Sequence, residues 1–396
     1  MLPRINPWRA TLSGLSASLV GIGLARFAYA PLLPAIIAAH WFPAATAAYL
    51  GAANLAGYLA GALLAGPLAA RLPVTPLLRF MMLLTTAAFF ACGWNLGFLW
   101  FFAWRFASGV TGGVLMVLAA STILPHIAPA KRGITTGFIF LGVGLGIEAS
   151  GTLVPLLLRQ GLSQTWCGLG VLSLILTLAA WGGWPRGEGP VVVKHQTTHR
   201  QYPTAGLRAL YAEYGLNAVG IVPHTLFLAD YVARGLGQGM AAGAEYWVLF
   251  GLGAIAGPIL VGHLADRIGF NAAWRLGYGI EAVAVALPVL GFGPVGLMVS
   301  SVLVGAFTPG MIVLALGRVH LLLAHHPASH KAAWSKATTS FAVMQALSAY
   351  GMSYVFARTG GDYHLLFALG SGALVLALGL NLTMAANSIK HSISQA

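Results

Sequence analysis

The chain has 396 residues, of which 58% are hydrophobic and 7% charged, with a mean hydropathy of +0.82. A water-soluble domain carries about a quarter charged residues, so a soluble fold is excluded. Lysines and arginines number 21 against eight carboxylates, a formal net charge of +13, but they fall in small groups beside apolar stretches, which argues against a nucleic-acid footprint.

The apolar stretches predict helices in chain order at about 10–38, 46–70, 76–95, 97–124, 133–158 and 163–184. Six more follow at about 206–231, 241–265, 271–291, 294–323, 332–357 and 363–386. About 20 apolar residues span the hydrocarbon core as a helix. Helices are expected because lipid offers no partner for backbone N–H and C=O groups. The reading is therefore an all-α membrane protein with twelve transmembrane helices. The first stretch is too long for a cleavable signal, and further spans follow it. Cys92 and Cys167 lie inside apolar stretches, which implies no disulfide framework.

Residues 185–205, PRGEGPVVVKHQTTHRQYPTA, break the rhythm with a polar, basic run. This divides the chain into an N-terminal six-helix bundle (1–185), a cytoplasmic linker (186–205) and a C-terminal six-helix bundle (206–396). With the N-terminus inside, only Arg159, Arg234 and Arg358 fall in outer loops, and Arg26 and Arg105 fall within spans. The other sixteen of the 21 bases lie in cytoplasmic segments. That bias predicts that both termini are cytoplasmic; the plasma (inner) membrane is the expected location.

A shift of 196 residues pairs Gly57 with Gly253, Gly61 with Gly257, Gly66 with Gly262, Arg71 with Arg267, Arg79 with Arg275 and Gly109 with Gly305. Glycine matches come cheaply in a chain with 51 glycines; the two arginine matches carry more weight. Six spans separate the pairs, so the halves run parallel, as in transporters built from repeats about an axis along the membrane normal.

The segment Gly262-His-Leu-Ala-Asp266-Arg267-Ile-Gly269 closes the eighth stretch and resembles the loop signature of the major facilitator superfamily, Gly-x-Leu-Ala-Asp-Arg-x-Gly. The first-half copy, Gly66-Pro-Leu-Ala-Ala70-Arg71-Leu, lacks the acid. The resemblance implies the family fold of two pseudo-symmetric bundles. It also implies that the acid caps a neighbouring helix start and helps to hold one conformation, so the latch would work through Asp266 alone or be weak in the first half. Arg105-Phe-Ala-Ser-Gly109 resembles the family's fourth-span motif, which implies a role for Arg105 near the substrate or proton pathway. Gly142, Gly144, Gly146 and Gly151 resemble the glycine-rich fifth helix of antiporter branches, without the Gly-Pro step, so drug antiport is not supported. The strings around Arg26 (Gly23 to Pro34) and His224 (Val222 to Tyr231) resemble the YbfB/YjiJ-like branch of the superfamily.

Charges inside spans are costly, about 2.5–3.5 kcal/mol at the bilayer centre on insertion scales, and face protein or water-filled space. Counting 1.5 Å of rise per residue, Arg26, Arg105 and Glu148 fall within about a turn of one depth. An Arg26–Glu148–Arg105 cluster is expected, with a surplus positive charge that suits an anionic solute and a carboxyl suited to proton coupling. A permanent structural salt bridge is the alternative. In the seventh span Glu213, Asn217, Gly220 and His224 share one helix face. His224 is a candidate proton carrier, and Glu213 would otherwise simply reach the cytoplasmic surface. Thr338, Gln345, Ser348 and Met352 share a face of the eleventh span and could line a cavity. Glu281 in the ninth span fits an interhelical hydrogen bond as well as a function.

The glycine runs at 142–151 and 251–257 lie mid-span rather than after a strand, so they are packing surfaces and not nucleotide loops. Loop histidines lack acidic or cysteine partners, so neither a metal nor a cofactor is expected, and no nucleophile–base set marks an enzyme. The expected function is secondary active, proton-coupled transport of a small organic solute by a monomer working through alternating access. A non-transporting sensor or scaffold with the same fold, and efflux of toxic compounds, are the alternatives.

Overall fold

The computed structural model describes residues 6–128, 132–185, 204–326 and 329–394, and no strand occurs among them. Helices α1 (Pro7–Ala38), α2 (Ala44–Arg71), α3 (Val74–Ala91), α4 (Phe98–Ile123), α5 (Arg132–Leu158) and α6 (Leu162–Ala180) come first. They are followed by α7 (Ala205–Gly235), α8 (Gly239–Ile268), α9 (Phe270–Ala286), α10 (Gly293–Leu322), α11 (His330–Arg358) and α12 (Tyr363–Ser394). Ten of these are long and apolar enough to cross a membrane. The two that fall short are α9, with 17 residues, and α11, which carries a run of Ser, Thr, Lys and Gln from Ser335 to Gln345. Most of the 186–205 linker read from the sequence lies outside the described residues.

Local signals set the helix starts. Asn6 caps α1 by accepting from the backbone N–H groups of Trp8 and Arg9, and Pro7 occupies the first turn, where no N–H is needed. Gly97 and Gly269 precede α4 and α9 with φ of 94° and 81°, angles that L side chains avoid. Two helices are irregular. α1 widens to π geometry at Leu19–Leu24, and α7 does so at Pro223–Phe227 and Tyr231–Gly235. Such π turns inside α-helices concentrate at functional sites.

Contacts divide the chain into two compact units, residues 1–196 with 228–251, and residues 197–227 with 252–396. In the first, Val20, Leu78, Met82, Val114, Leu115 and Ile139 belong to one buried apolar core. Here α2 meets α4 backbone to backbone: a Cβ on Gly57 would fall on the Phe106 carbonyl, and one on Gly61 on that of Val110. In the second unit a Cβ on Gly253 would fall on the Val302 carbonyl of α10, and one on Gly257 on that of Ala306. Gly253 is Gly57 plus 196, and Val302 is Phe106 plus 196, so the repeat extends to the packing partner. Arg79 and Arg275, the paired arginines, also act alike. Each binds the last helix region of its own half, Arg79 through the Trp181 carbonyl at 2.6 Å and Arg275 through Asn381 Oδ1 at 2.8 Å.

Candidate functional site

In the first unit Arg105 of α4 is 3% exposed. Its Nη1 donates to the Ala25 carbonyl at 2.8 Å and its Nε to that of Leu50 at 3.5 Å, while its Cζ lies 4.3 Å from the centre of the Tyr29 ring. Tyr29 in turn donates to the Ala47 carbonyl at 2.6 Å. Arg105 thus ties α1 to α2 just beyond the π stretch, where α1 returns to α geometry at Ala25–Phe27. It also borders a small cavity with Thr85, Cys92, Ser108 and Trp166.

Arg26 sits one residue past Ala25 and is partly exposed. Its Cζ lies 4.9 Å from the Phe27 ring centre and 5.6 Å from that of Tyr58. No carboxylate of the described residues stands within ion-pair distance of it.

The expected Arg26–Glu148–Arg105 cluster does not form. Depth along a helix fixes the level of a side chain but not its azimuth. On α5, Gly142 and Gly146 face α1, where added Cβ atoms would meet Leu15 and Gly23. Glu148 is two residues on, about 200° around at 3.6 residues per turn. It lies instead against Gly251 of α8, beside the Gly151–Val248 contact and the bond from Trp247 Nε1 to Ser150 Oγ at 2.9 Å. Its Oε2 is buried without a partner.

In the second unit the polar stripe of α7 points into protein, and Glu213, Asn217 and His224 are all 0% exposed. The alternative of Glu213 reaching the surface is thereby removed. Glu213 Oε2 accepts from Trp274 Nε1 at 2.6 Å, Arg318 Nη1 at 2.7 Å and Asn381 Nδ2 at 3.0 Å, joining α7, α9, α10 and α12. One turn further along α7, Asn217 Nδ2 donates to Glu281 Oε2 at 2.5 Å. Two turns beyond, His224 Nε2 lies 2.7 Å from Ser300 Oγ, and Ser300 donates to the Ala284 carbonyl at 2.6 Å. Because the single Ser300 proton goes to Ala284, the bond from His224 runs Nε2–H to Oγ and leaves Nδ1 as the acceptor. On α11, Gln345 is 1% exposed, and its Nε2 and the Ser348 Oγ are buried without partners.

Sequence reasoning missed Trp274, Arg318, Asn381 and Ser300. Trp274 and Glu281 are seven residues apart on one face of α9, a detectable spacing; Arg318 was counted only as a topological charge. Reasoning also missed the Arg234–Asp230 pair, in which Nε–Oδ1 and Nη2–Oδ2 are both 2.5 Å. The loop motif departs from what its resemblance implies. α8 continues to Ile268, two residues past Asp266, so that acid lies on the exposed surface of the last turn and makes no bond to any described residue. No side chain caps α9. Arg71 and Arg267 are exposed, and no atom lies within 4 Å of the position a Cβ would take on Gly66 or Gly262.

The fold is similar to that of solved transporters. The xylose transporter XylE from E. coli matches with a TM-score of 0.70 at 15% identity, over 94% of this chain and 97% of that one. A peptide transporter POT matches at 0.76 and 13% identity, over 96% and 94%. The same POT in complex with sulfate matches at 0.75 and 13%, over 98% and 96%. No curated protein matches the chain. Residues 18–382 match the model of a family described as the uncharacterised MFS-type transporter YbfB. A multi-pass helical chain, carrying buried polar groups in both units and matched over nearly its whole length, is a transmembrane transporter and not an enzyme, and it belongs to the YbfB family of the major facilitator superfamily.

Proposed function

We propose that the protein is a proton-coupled secondary transporter of a small organic anion, acting as a monomer by alternating access. In this reading α9 and α11 also span the membrane, giving twelve spans in two six-helix bundles, 1–185 and 206–396, joined by 186–205. Both termini lie on the cytoplasmic side of the plasma membrane.

The observation that carries the reading is Arg26. The residue is partly exposed within a 32-residue span, and its Cζ lies 4.9 Å from the Phe27 ring centre and 5.6 Å from that of Tyr58, without a carboxylate partner among the described residues. An intramembrane charge costs about 2.5–3.5 kcal/mol. A ring contact returns about 0.5–2 kcal/mol, so the two rings together offset a cost of that order, but neither carries a negative charge, and an anionic solute supplies one. Arg105 is already engaged by carbonyls and Tyr29, and it holds the segment that carries Arg26. The named xylose and peptide transporters carry small organic solutes on the same fold.

The test is a thermal-shift screen of purified protein against organic anions, neutral sugars and cationic drugs, followed by flux into proteoliposomes. Ligands that bind only the folded state raise its melting temperature. Anions should stabilise the wild type and be taken up, and Arg26→Gln should lose both effects. Stabilisation by cations alone would overturn the reading. One observation favours a non-transporting sensor or scaffold: Asp266, the acid of the loop motif, has no partner. Absence of flux for every stabilising ligand would select that alternative.

A further inference from the structure

Buried polar atoms without hydrogen-bond partners are concentrated in the second unit. Among the described residues twelve such atoms occur, and six belong to Glu213, Asn217, His224, Tyr278, Glu281 and Arg318. These residues form one file. Its α7 members run from Glu213 to His224, 11 residues or about 16 Å at 1.5 Å per residue. Each unsatisfied buried group costs about 1–3 kcal/mol, and folded proteins retain few of them without a functional reason. Leucines at these positions would satisfy the packing without that cost.

Glu281 is the exceptional member. It is 0% exposed, its Oε2 accepts from Asn217, and its Oε1 has no partner. Tyr278, one turn earlier on α9, has a buried hydroxyl that is also without one. The groups around it are few. From α7 come Glu213, Tyr214, Asn217 and His224. From α10 comes Arg318, whose Nη1 is committed to Glu213 at 2.7 Å. From α12 come Asn381, held between Arg275 and Glu213, and Ser371, which donates to the Ala282 carbonyl at 2.9 Å. No Lys, Arg or His of the described residues is within ion-pair distance of Glu281. It therefore differs from Glu213, whose charge is matched.

We propose that Glu281 is a proton-binding site inside the second unit, served by the polar file of Asn217, Tyr278 and His224–Ser300. On uptake an O–H bond forms at Oε1, and on release it breaks; Oε2 keeps the bond from Asn217 in both states. The site supplies the coupling proton of the transport cycle and rests on that reading for its purpose, though not for its chemistry.

The test is a pH titration of the full-length, lipid-reconstituted protein by infrared difference spectroscopy, with the proton as the only ligand. A protonated-carboxyl stretch should appear and titrate in the wild type. It should vanish in Glu281→Gln, return displaced in Glu281→Asp, and shift in frequency and midpoint in Asn217→Leu. It should persist in Glu148→Gln and Glu213→Gln. Survival of the band in Glu281→Gln overturns the proposal. Should that variant fail to fold, an unmoved band in both Glu281→Asp and Asn217→Leu overturns it equally. The readout needs no solute, so a wild type that moves nothing refutes the transport reading and leaves the proton site intact.

Discussion

Replacing Arg318 by methionine tests whether the Glu213 cluster is held by charge matching or by shape. Glu213 is fully buried, and Arg318 is its sole cationic partner among the described residues, at 2.7 Å with 10% of the side chain exposed. Removing one partner of a buried pair leaves an uncompensated charge and costs about 3–5 kcal/mol. The bonds from Trp274 and Asn381 remain, at 2.6 and 3.0 Å, but two neutral donors do not neutralise a carboxylate. Adding Glu213→Gln to Arg318→Met removes that charge and keeps a carbonyl oxygen for both donors. The double variant should therefore recover to within about 1–2 kcal/mol of the parent, the scale of a net hydrogen bond. Unfolding of the purified chain in lipid bicelles, followed by circular dichroism, measures the three stabilities. A double variant less stable than Arg318→Met alone, or an Arg318→Met variant equal to the parent, would refute the reasoning.

The glycine contacts predict like outcomes within each repeat pair and opposite outcomes between two neighbouring pairs. Gly61→Ala and Gly257→Ala each place a Cβ on a carbonyl of the neighbouring helix and should destabilise by about 1–3 kcal/mol. Gly66→Ala and Gly262→Ala meet nothing within 4 Å and should stabilise by about 0.5–1 kcal/mol as helix-interior glycine replacements. The same bicelle assay reads both. Arg105→Lys cannot reproduce a planar fork that reaches two carbonyls and stacks on Tyr29. It should cost about 1–3 kcal/mol, on the scale of an unsatisfied buried group, and accelerate hydrogen exchange around Ala25. Trp247→Phe should lose about 0.5–1.5 kcal/mol with the bond to Ser150.

Composition and span length were enough to read a multi-pass helical membrane protein, because lipid permits few backbone solutions. The repeat also marks where helix backbones meet. The matches discounted as cheap, Gly57 with Gly253 and Gly61 with Gly257, are the points where backbones touch. A polar stripe on α7 was also legible from its spacing, since one helix face is a local property. Its partners were not. Trp274, Arg318 and Asn381 lie 61, 105 and 168 residues from Glu213, and only packing of four helices brings them to one carboxylate. The same limit explains Glu148. Counting residues along a span gave its height, but the rotation of α5 set it against Gly251, and it pairs with neither arginine. Hydropathy thus decides which segments enter the bilayer, one segment at a time. Which buried charge meets which is decided by helix azimuth, a property of the assembled bundle that no single span contains.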